Sequence, residues 1–313
     1  MEKLPVTVLI PTLNAGGHLT ELLDSIGDAV SDIQILDSRS TDSTVDIALE
    51  RGITIVQRAF TTHGDHFQWM VSNMPVKTDW VFLLAQDERF TPSLLDALRH
   101  LFSGILNLNG YTVRWRLWFM GKSLHVIIDN LRLMRMGHFR IADVICNEQI
   151  LVDGPVGNLD GILEHKDTLT LHEWYEKQNL YTTMEAIAHM RGRGEFAVKP
   201  SFFKGRLARR MMIKKIFFSI PFRYLLVLIY NYFFVGAWRD GKVGFIWARL
   251  RSEVYRMREY KITEMNWSGL IPEIPKARHG DFDPRIMATT LQQNLLPDVF
   301  ERWQANHFKN DTF

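Results

Sequence analysis

Residues 6–10, V-T-V-L-I, form a short β-branched run that Pro11 ends, and residues 33–36, I-Q-I-L, form a second that runs into Asp37. Between them, residues 18–29 carry Leu19, Leu22, Leu23 and Ile26 at helical spacing. A further helix is expected after Asp42, and residues 53–57 supply a third strand. Strands alternating with helices predict a parallel sheet with right-handed crossovers, because parallel neighbours need a long connection and a helix provides it. Residues 80–84, W-V-F-L-L, read as a fourth, wholly apolar strand, and polarity begins abruptly at Gln86. Ligand chemistry in open α/β sheets collects beyond the carboxyl ends of strands. Three polar clusters stand at such ends: Thr12 with Asn14, residues 37–42, and residues 86–88.

Farther along, residues 111–140 are dense in Trp, Arg and Met, and residues 150–165 carry Gly154, Gly157 and Gly161. After Leu171 the pattern turns helical, with little strand signal through Lys261. Gly192, Gly194 and Pro200 interrupt it, which places a boundary near residue 195. The expected organisation is an α/β catalytic domain over 1–195, a helical, basic and aromatic region over 196–265, and an irregular tail over 266–313. No internal repeat or low-complexity tract is evident.

Composition narrows the class. A chain of 313 residues, 46% hydrophobic and 23% charged, is globular and long enough for a sizeable core. Its net charge of +2 makes no general case for nucleic acid as a partner, but basic residues crowd between Arg191 and Arg258. The single cysteine, Cys146, cannot form an internal disulfide and reads first as a small buried apolar residue. The opening residues M-E-K-L-P-V-T-V-L-I-P lack the pattern of an export signal, so a cytoplasmic location is expected.

An aspartate directly after a strand, then small hydroxyl residues and a second aspartate opening a helix, suits a nucleotide site. The segment D-S-R-S-T-D from Asp37 to Asp42 has that form, although the same pattern serves an ordinary helix cap. In L-L-A-Q-D-E-R-F-T-P, paired acids could hold a divalent metal that neutralises a diphosphate leaving group. The alternative there is a solvated turn in which Glu88 pairs with Arg89.

The combination resembles the family-2 glycosyltransferases, which have an A-type nucleotide-binding α/β fold with a mixed sheet. The likeness lies in D-S-R-S-T-D-S-T at residues 37–44, A-Q-D-E-R-F-T-P at 85–92, and Asn147-Glu148 followed by G-P-V-G-N-L-D-G at 154–161 and His165. K-Q-N-L-Y-T-T-M-E-A at 177–186 and W-R-D-G-K-V-G-F at 238–245 continue it. The likeness is greatest to bacterial lipopolysaccharide core β-1,4-glucosyltransferases. The resemblance implies an inverting transfer of sugar from a nucleotide-sugar donor to a lipid-linked glycan acceptor, with Mg²⁺ or Mn²⁺ as cofactor. It implies donor contacts from Thr12, Asn14, Asp37, Arg39, Asp42, Gln86 and Asp87, metal ligation by Asp87 and His165, and Glu148 as general base. Ala85, Arg39 and Asn147 depart from the family pattern, standing where an aspartate, a glycine and a histidine are expected. A non-catalytic nucleotide-sugar-binding or scaffold protein is the alternative that Ala85 leaves open.

Residues 204–223, K-G-R-L-A-R-R-M-M-I-K-K-I-F-F-S-I-P-F-R, mix cations with an apolar, aromatic face and run on into Y-L-L-V-L-I-Y-N-Y-F-F-V-G-A-W. Such a segment suits the headgroup boundary of an anionic membrane surface, which places the enzyme peripherally on the cytoplasmic face of the inner membrane. A buried helical hairpin is the competing reading. Pro221, Arg223 and Asn231 count against a full span.

Overall fold

The computed structural model describes residues 2–142, 144–145, 149–166, 170–192, 199–203, 206–273, 280–281 and 283–286. The expected alternation is present: strand β1 (Leu4–Thr12), helix α1 (Gly16–Ile26), β2 (Val30–Asp37), α2 (Thr44–Glu50), β3 (Thr54–Gln57), α3 (His63–Asn73) and β4 (Trp80–Leu83). A short β5 (Glu88–Phe90) and α4 (Pro92–Phe102) follow. Then come β6 (Gly110–Phe119), β7 (Lys122–Arg135), β8 (Phe139–Ile141), β9 (Ile150–Val152) and β10 (Gly157–His165). Among the described residues the main sheet has eight strands in the order β3-β2-β1-β4-β7-β6-β10-β5. It is mixed. The first four strands run parallel, while β7 pairs antiparallel to β4 and to β6, and β5 pairs antiparallel to β10.

This order sets the three polar clusters side by side. Because β2 and β4 flank β1 and all three run the same way, residues 12–14, 37–42 and 85–88 leave the sheet at one edge. Burial fixes the register. Along β1, Val6, Val8, Leu9 and Ile10 are buried, as are Ile35 and Leu36 of β2 and all four residues of β4. Leu19, Leu22, Leu23 and Ile26 of α1 join the same core, which confirms the helical spacing read from the sequence. Residues 111–140, noted only for their composition, form the β6–β7 hairpin. Its turn is Met120-Gly121, with φ of 51° and 71°, the pair of positive values that a two-residue turn matching strand twist requires.

Helix α5 (Leu171–Arg191) starts on a reciprocal cap, with Glu173 N donating to Thr170 Oγ1 and Thr170 N to Glu173 Oε2. After it come α6 (Arg206–Ser219), α7 (Arg223–Ile229), a π-helical turn over Tyr230–Phe234, a 3₁₀ turn over Ala237–Asp240, and the long α8 (Gly241–Ser268). A second core joins them to the sheet: Leu117 and Phe119 of β6 and Leu124 and Val126 of β7 pack with Trp174, Trp247, Ala248, Leu250 and Val254. The segment W-R-D-G-K-V-G-F makes this junction. Asp240 accepts from the backbone N of His125 at 3.0 Å and from its ring Nδ1 at 2.7 Å, which ties the start of α8 to β7. No helix among the described residues is long and apolar enough to cross a membrane.

Of the tail, expected to be irregular, the described residues near 284–286 lie against β3. Its short helix α9 (Pro284–Ile286) puts Ile286, with 0% exposure, into the main core beside β3.

Gly244 explains its own place in the motif. A Cβ there would lie 1.8 Å from the carbonyl oxygen of Ala237, so the first turn of α8 can approach only with a glycine. Gly244→Ala is expected to lower unfolding free energy by about 1–3 kcal/mol or more, the usual range for forced overpacking. A melting curve superimposable on the wild type would show that the junction yields.

Candidate active site

Asp37 ends β2 with no exposed surface. A buried carboxylate needs both oxygens satisfied, and here Thr12 Oγ1 donates to Oδ1 at 2.9 Å, Gln57 Nε2 to Oδ2 at 2.8 Å, and Ser40 N to Oδ2 at 2.8 Å. Ser40 Oγ adds a fourth, short bond. Asp37 therefore gathers the ends of β1 and β3 and its own loop around one charge. Asp37, expected to contact a donor, lies at this edge with both carboxylate oxygens engaged by the protein.

The neighbouring loops are stitched together in the same way. Asn14, at φ 51°, accepts from Thr41 N at 2.9 Å, and its own N donates to Ser40 Oγ at 2.8 Å. Asp42 caps two helices at once, accepting from Gly16 N at 2.8 Å and from Thr44 N at 3.0 Å. Burial works to raise the Asp42 carboxyl, but the bonds from Thr44 and Gly16 outweigh it and hold it below the usual range. The N-cap positions themselves are Ala15 and Ser43, so Asp42 serves the first N–H of each helix from outside the cap position. Arg39 sits at φ 59°, a left-handed conformation that costs a side-chain-bearing residue roughly 1–2 kcal/mol, which accounts for the glycine expected at this position. Gln86 bridges to the first loop, its Oε1 accepting from Leu13 N at 3.0 Å. Thr12, Asn14, Asp37, Arg39, Asp42 and Gln86 therefore form one connected rim.

Asp87 joins them from the far side of the sheet. In the β5–β10 pairing Glu88 lies opposite His165, and this brings His165 Nε2 to 3.4 Å from Asp87 Oδ2. Lys177 of α5 reaches the same oxygen with its Nζ at 3.2 Å. Burial would raise the Asp87 carboxyl; the charges of His165 and Lys177 overcome it and hold the group well below the usual carboxylate range. The imidazole of His165 is fixed by stacking on Trp115, with centroids 4.5 Å apart and planes 2° from parallel. Lys177 was legible only as part of a motif; the helix phase of α5 and its approach to the sheet give it a role that spacing does not.

Glu88 does not pair with Arg89, and it is not a second surface acid beside Asp87. It is fully buried, bonded to Arg132 Nη2 at 2.7 Å and to Ala85 N at 2.7 Å. Arg132 also lies 4.6 Å from the ring centre of Trp115, so this ion pair forms the floor beneath Asp87 and His165. Arg89 turns instead to Glu21, 3.2 Å away, and to the His18 carbonyl at 2.9 Å. Asp87 lies in the turn before β5 and faces His165 and Lys177, whereas Glu88 is engaged by Arg132 and Ala85 N, so the two acids do not share one ion.

Among the described residues no group of three His, Cys, Asp or Glu side chains is placed to hold a metal. Asp87 and His165 nonetheless converge closely enough to supply two ligands. A carboxylate with one imidazole suits a divalent ion whose other ligands are diphosphate oxygens and water, so the residues present fit such a group. Glu148, Cys146 and Asn147 lie outside the described residues. The chain flanking them is anchored, with His63 N donating to the Ile145 carbonyl at 3.3 Å and Gly64 N to that of Val144 at 3.0 Å.

The fold and the site together define a mixed α/β protein with a cluster of charged and hydroxyl side chains at the carboxyl edge of its parallel strands. No family model matches the chain. It is similar to an uncharacterized glycosyltransferase of Rickettsia prowazekii, at 20% identity over 196 residues, 58% of this chain and 66% of that protein. An uncharacterized glycosyltransferase of Rickettsia felis matches at 26% identity over 103 residues, 33% of this chain and 35% of that one. The chain thus spans less than two thirds of the length of these relatives. Among solved structures, glucosyl-3-phosphoglycerate synthase from Mycobacterium tuberculosis, in complex with Mn²⁺ and uridine-diphosphate-glucose, aligns at 20% identity over 36% of this chain and 43% of that one, with a TM-score of 0.31.

The buried Glu88–Arg132 pair yields a test. Arg132→Met leaves a carboxylate buried without its cation and is expected to cost about 3–5 kcal/mol near neutral pH. Burial already raises Glu88 above its ordinary value. A carboxyl raised in the folded state takes up its proton more readily folded than unfolded, so the deficit should shrink as pH falls and Glu88 becomes neutral. Adding Glu88→Gln should likewise recover part of the loss. Denaturant melts across pH check this, and a pH-independent deficit would mean that Glu88 stays solvated.

Proposed function

We propose that the protein transfers a sugar from a nucleotide-diphosphate donor to an acceptor hydroxyl. The observation that carries this is the meeting of Asp87, His165 and Lys177 next to Gln86, which bonds the loop after β1, itself bonded to the Asp37 loop, at the edge where parallel strands end. A nucleoside seated on the rim formed by Thr12, Asn14, Asp37 and Arg39 puts its diphosphate toward Gln86, Asp87, His165 and Lys177. The low-identity likeness to proteins named as glycosyltransferases supports the same class.

Breaking the bond from the anomeric carbon to the diphosphate leaves negative charge on the departing oxygen. The ammonium of Lys177 and the imidazole of His165 stand where that charge develops. A divalent ion bound at Asp87 and His165 would supply further neutralisation of the diphosphate. Glu148 is assigned as the base that takes the proton from the acceptor hydroxyl as its oxygen attacks the face opposite the leaving group, which gives inversion. Asn147, beside it in sequence, is a neutral neighbour for that carboxylate.

Asp87→Asn removes the charge that orders Lys177 and His165 and is expected to abolish transfer while the fold persists. The measurement is nucleoside diphosphate release from a panel of nucleotide sugars, with and without Mg²⁺ or Mn²⁺. If wild-type protein releases none from any donor, the transferase reading falls and a binding or scaffold role replaces it. Near-normal turnover of Asp87→Asn would instead remove Asp87 from the site.

For the acceptor, the proposal is a hydroxyl of a lipid-linked glycan presented at an anionic membrane. Its support is one face of the helical region where Phe222, Leu225, Leu226, Ile229, Tyr230, Phe233, Phe234 and Trp238 are exposed, Phe234 by 78%. Exposed Arg209, Arg210, Lys215, Arg239 and Lys242 belong to the same region, and cations beside an exposed aromatic surface match a bilayer of acidic lipid. Changing Arg209, Arg210, Lys214 and Lys215 to Gln should weaken co-sedimentation with anionic vesicles, roughly 1 kcal/mol per charge near the surface, and spare donor hydrolysis. Wild-type protein that ignores both anionic and neutral vesicles would assign this face to another partner.

A further inference from the structure

Gly280, Asp283, Arg285 and Ile286 lie against the Asp37 loop and the elements beside it. Gly280 N donates to the Arg39 carbonyl at 2.8 Å. The fit is close, since a Cβ on Gly280 would lie 2.7 Å from Thr41 Cγ2 and 3.2 Å from the Arg39 oxygen. Asp283 N donates to Gln57 Oε1 at 2.8 Å, and the other end of that amide donates to Asp37 Oδ2 at 2.8 Å. Arg285 pairs with Asp46 of α2 at 2.7 Å, and Ile286 is buried with the core.

We propose that this stretch is a working part of the donor site: a strap that holds residues 38–41 in the shape that receives the nucleoside. The inference rests on the donor-site reading above and adds to it a positioning element that comes from the far end of the described chain. Its physical basis is the strained backbone of Arg39. A non-glycine residue at φ 59° persists only where surrounding bonds over-determine it, and the peptide on its carbonyl side is held by Gly280. On the opposite side, Ser40 N is held by Asp37 and Thr41 N by Asn14, so the loop is fixed between strap and rim. Gln57 connects the two, with one end on Asp37 and the other on Asp283. Thr41 and Asp42 remain exposed, so the strap supports the loop without covering its solvent side.

A loop that is in its binding shape only part of the time weakens apparent affinity by that fraction and leaves the chemical step unchanged. Gly280→Ala forces the strap away from Thr41. Thr41→Ser removes the offending Cγ2 but keeps the hydroxyl that donates to Asn14. The experiment measures Kd for UDP, GDP and dTDP by calorimetry on the full chain, with KM and kcat for the donor that the panel selects. Amide exchange at Ser40 and Thr41 is read alongside. Gly280→Ala is expected to weaken nucleotide binding and raise donor KM on the order of tenfold at unchanged kcat, with faster exchange at those amides. Gly280→Ala with Thr41→Ser should recover most of both. Arg285→Ala, on an exposed pair that the fold does not require, should shift them the same way by less.

Unchanged affinity in Gly280→Ala and Arg285→Ala overturns the proposal. Tighter binding also overturns it, because the strap would then occupy the nucleoside's place. A fall in kcat with no change in KM would do the same. Wild-type protein that binds none of the nucleotides overturns the donor-site reading itself and the strap's role with it, a failure visible before any variant is compared.

Discussion

One buried charge organises the carboxyl edge of the parallel strands. With no exposed surface, the Asp37 carboxylate must be satisfied by the protein, and its donors come from Thr12 on β1, Gln57 on β3 and Ser40 on the loop that follows. Each bond is ordinary. Together they make the ends of three parallel strands a single unit, and the left-handed turn at Arg39 follows from closing a short loop back onto the carboxylate. Asp42 repeats the device at the rim, where one carboxylate serves the first turns of two helices.

The acidic side is organised by strand pairing. Antiparallel β5 and β10 place His165 beside Asp87, and Glu88 is engaged by Arg132. Trp115 lies between the two charge systems, stacked on His165 and close to Arg132. Neutral packing could not do this work, because a low carboxyl at Asp87 depends on cations whose positions are set by a helix, a strand and an aromatic floor. The second core, through Trp174 of α5, fixes the helix that carries Lys177.

The parallel half of the sheet was legible because its signals are local. The β-branched runs of β1 and β2, the spacing of Leu19, Leu22, Leu23 and Ile26, and the apolar block of β4 each read within a few residues. The β6–β7 hairpin was not, because alternating Arg and Trp satisfy no simple polar and apolar rhythm when cations such as Arg132 are buried against aromatics. The tail was equally opaque: Ile286 stands in D-F-D-P-R-I-M-A, where neither helical nor strand periodicity marks it as core.

By itself the sequence determined which residue types end each parallel strand, and hence that a charged, hydroxyl-rich site lies at one edge of an α/β sheet. It also singled out Asp37, Gln86, Asp87 and His165 as candidates, since a motif states composition and order. The tertiary structure alone decided that Glu88 belongs to Arg132, that Lys177 reaches Asp87, and that Gly280, Asp283 and Arg285 lie against the Asp37 loop and the elements beside it. These partners lie 44, 90 and more residues apart, and the energy of an ion pair or a buried bond depends on distance and dielectric in space. Chain order carries neither.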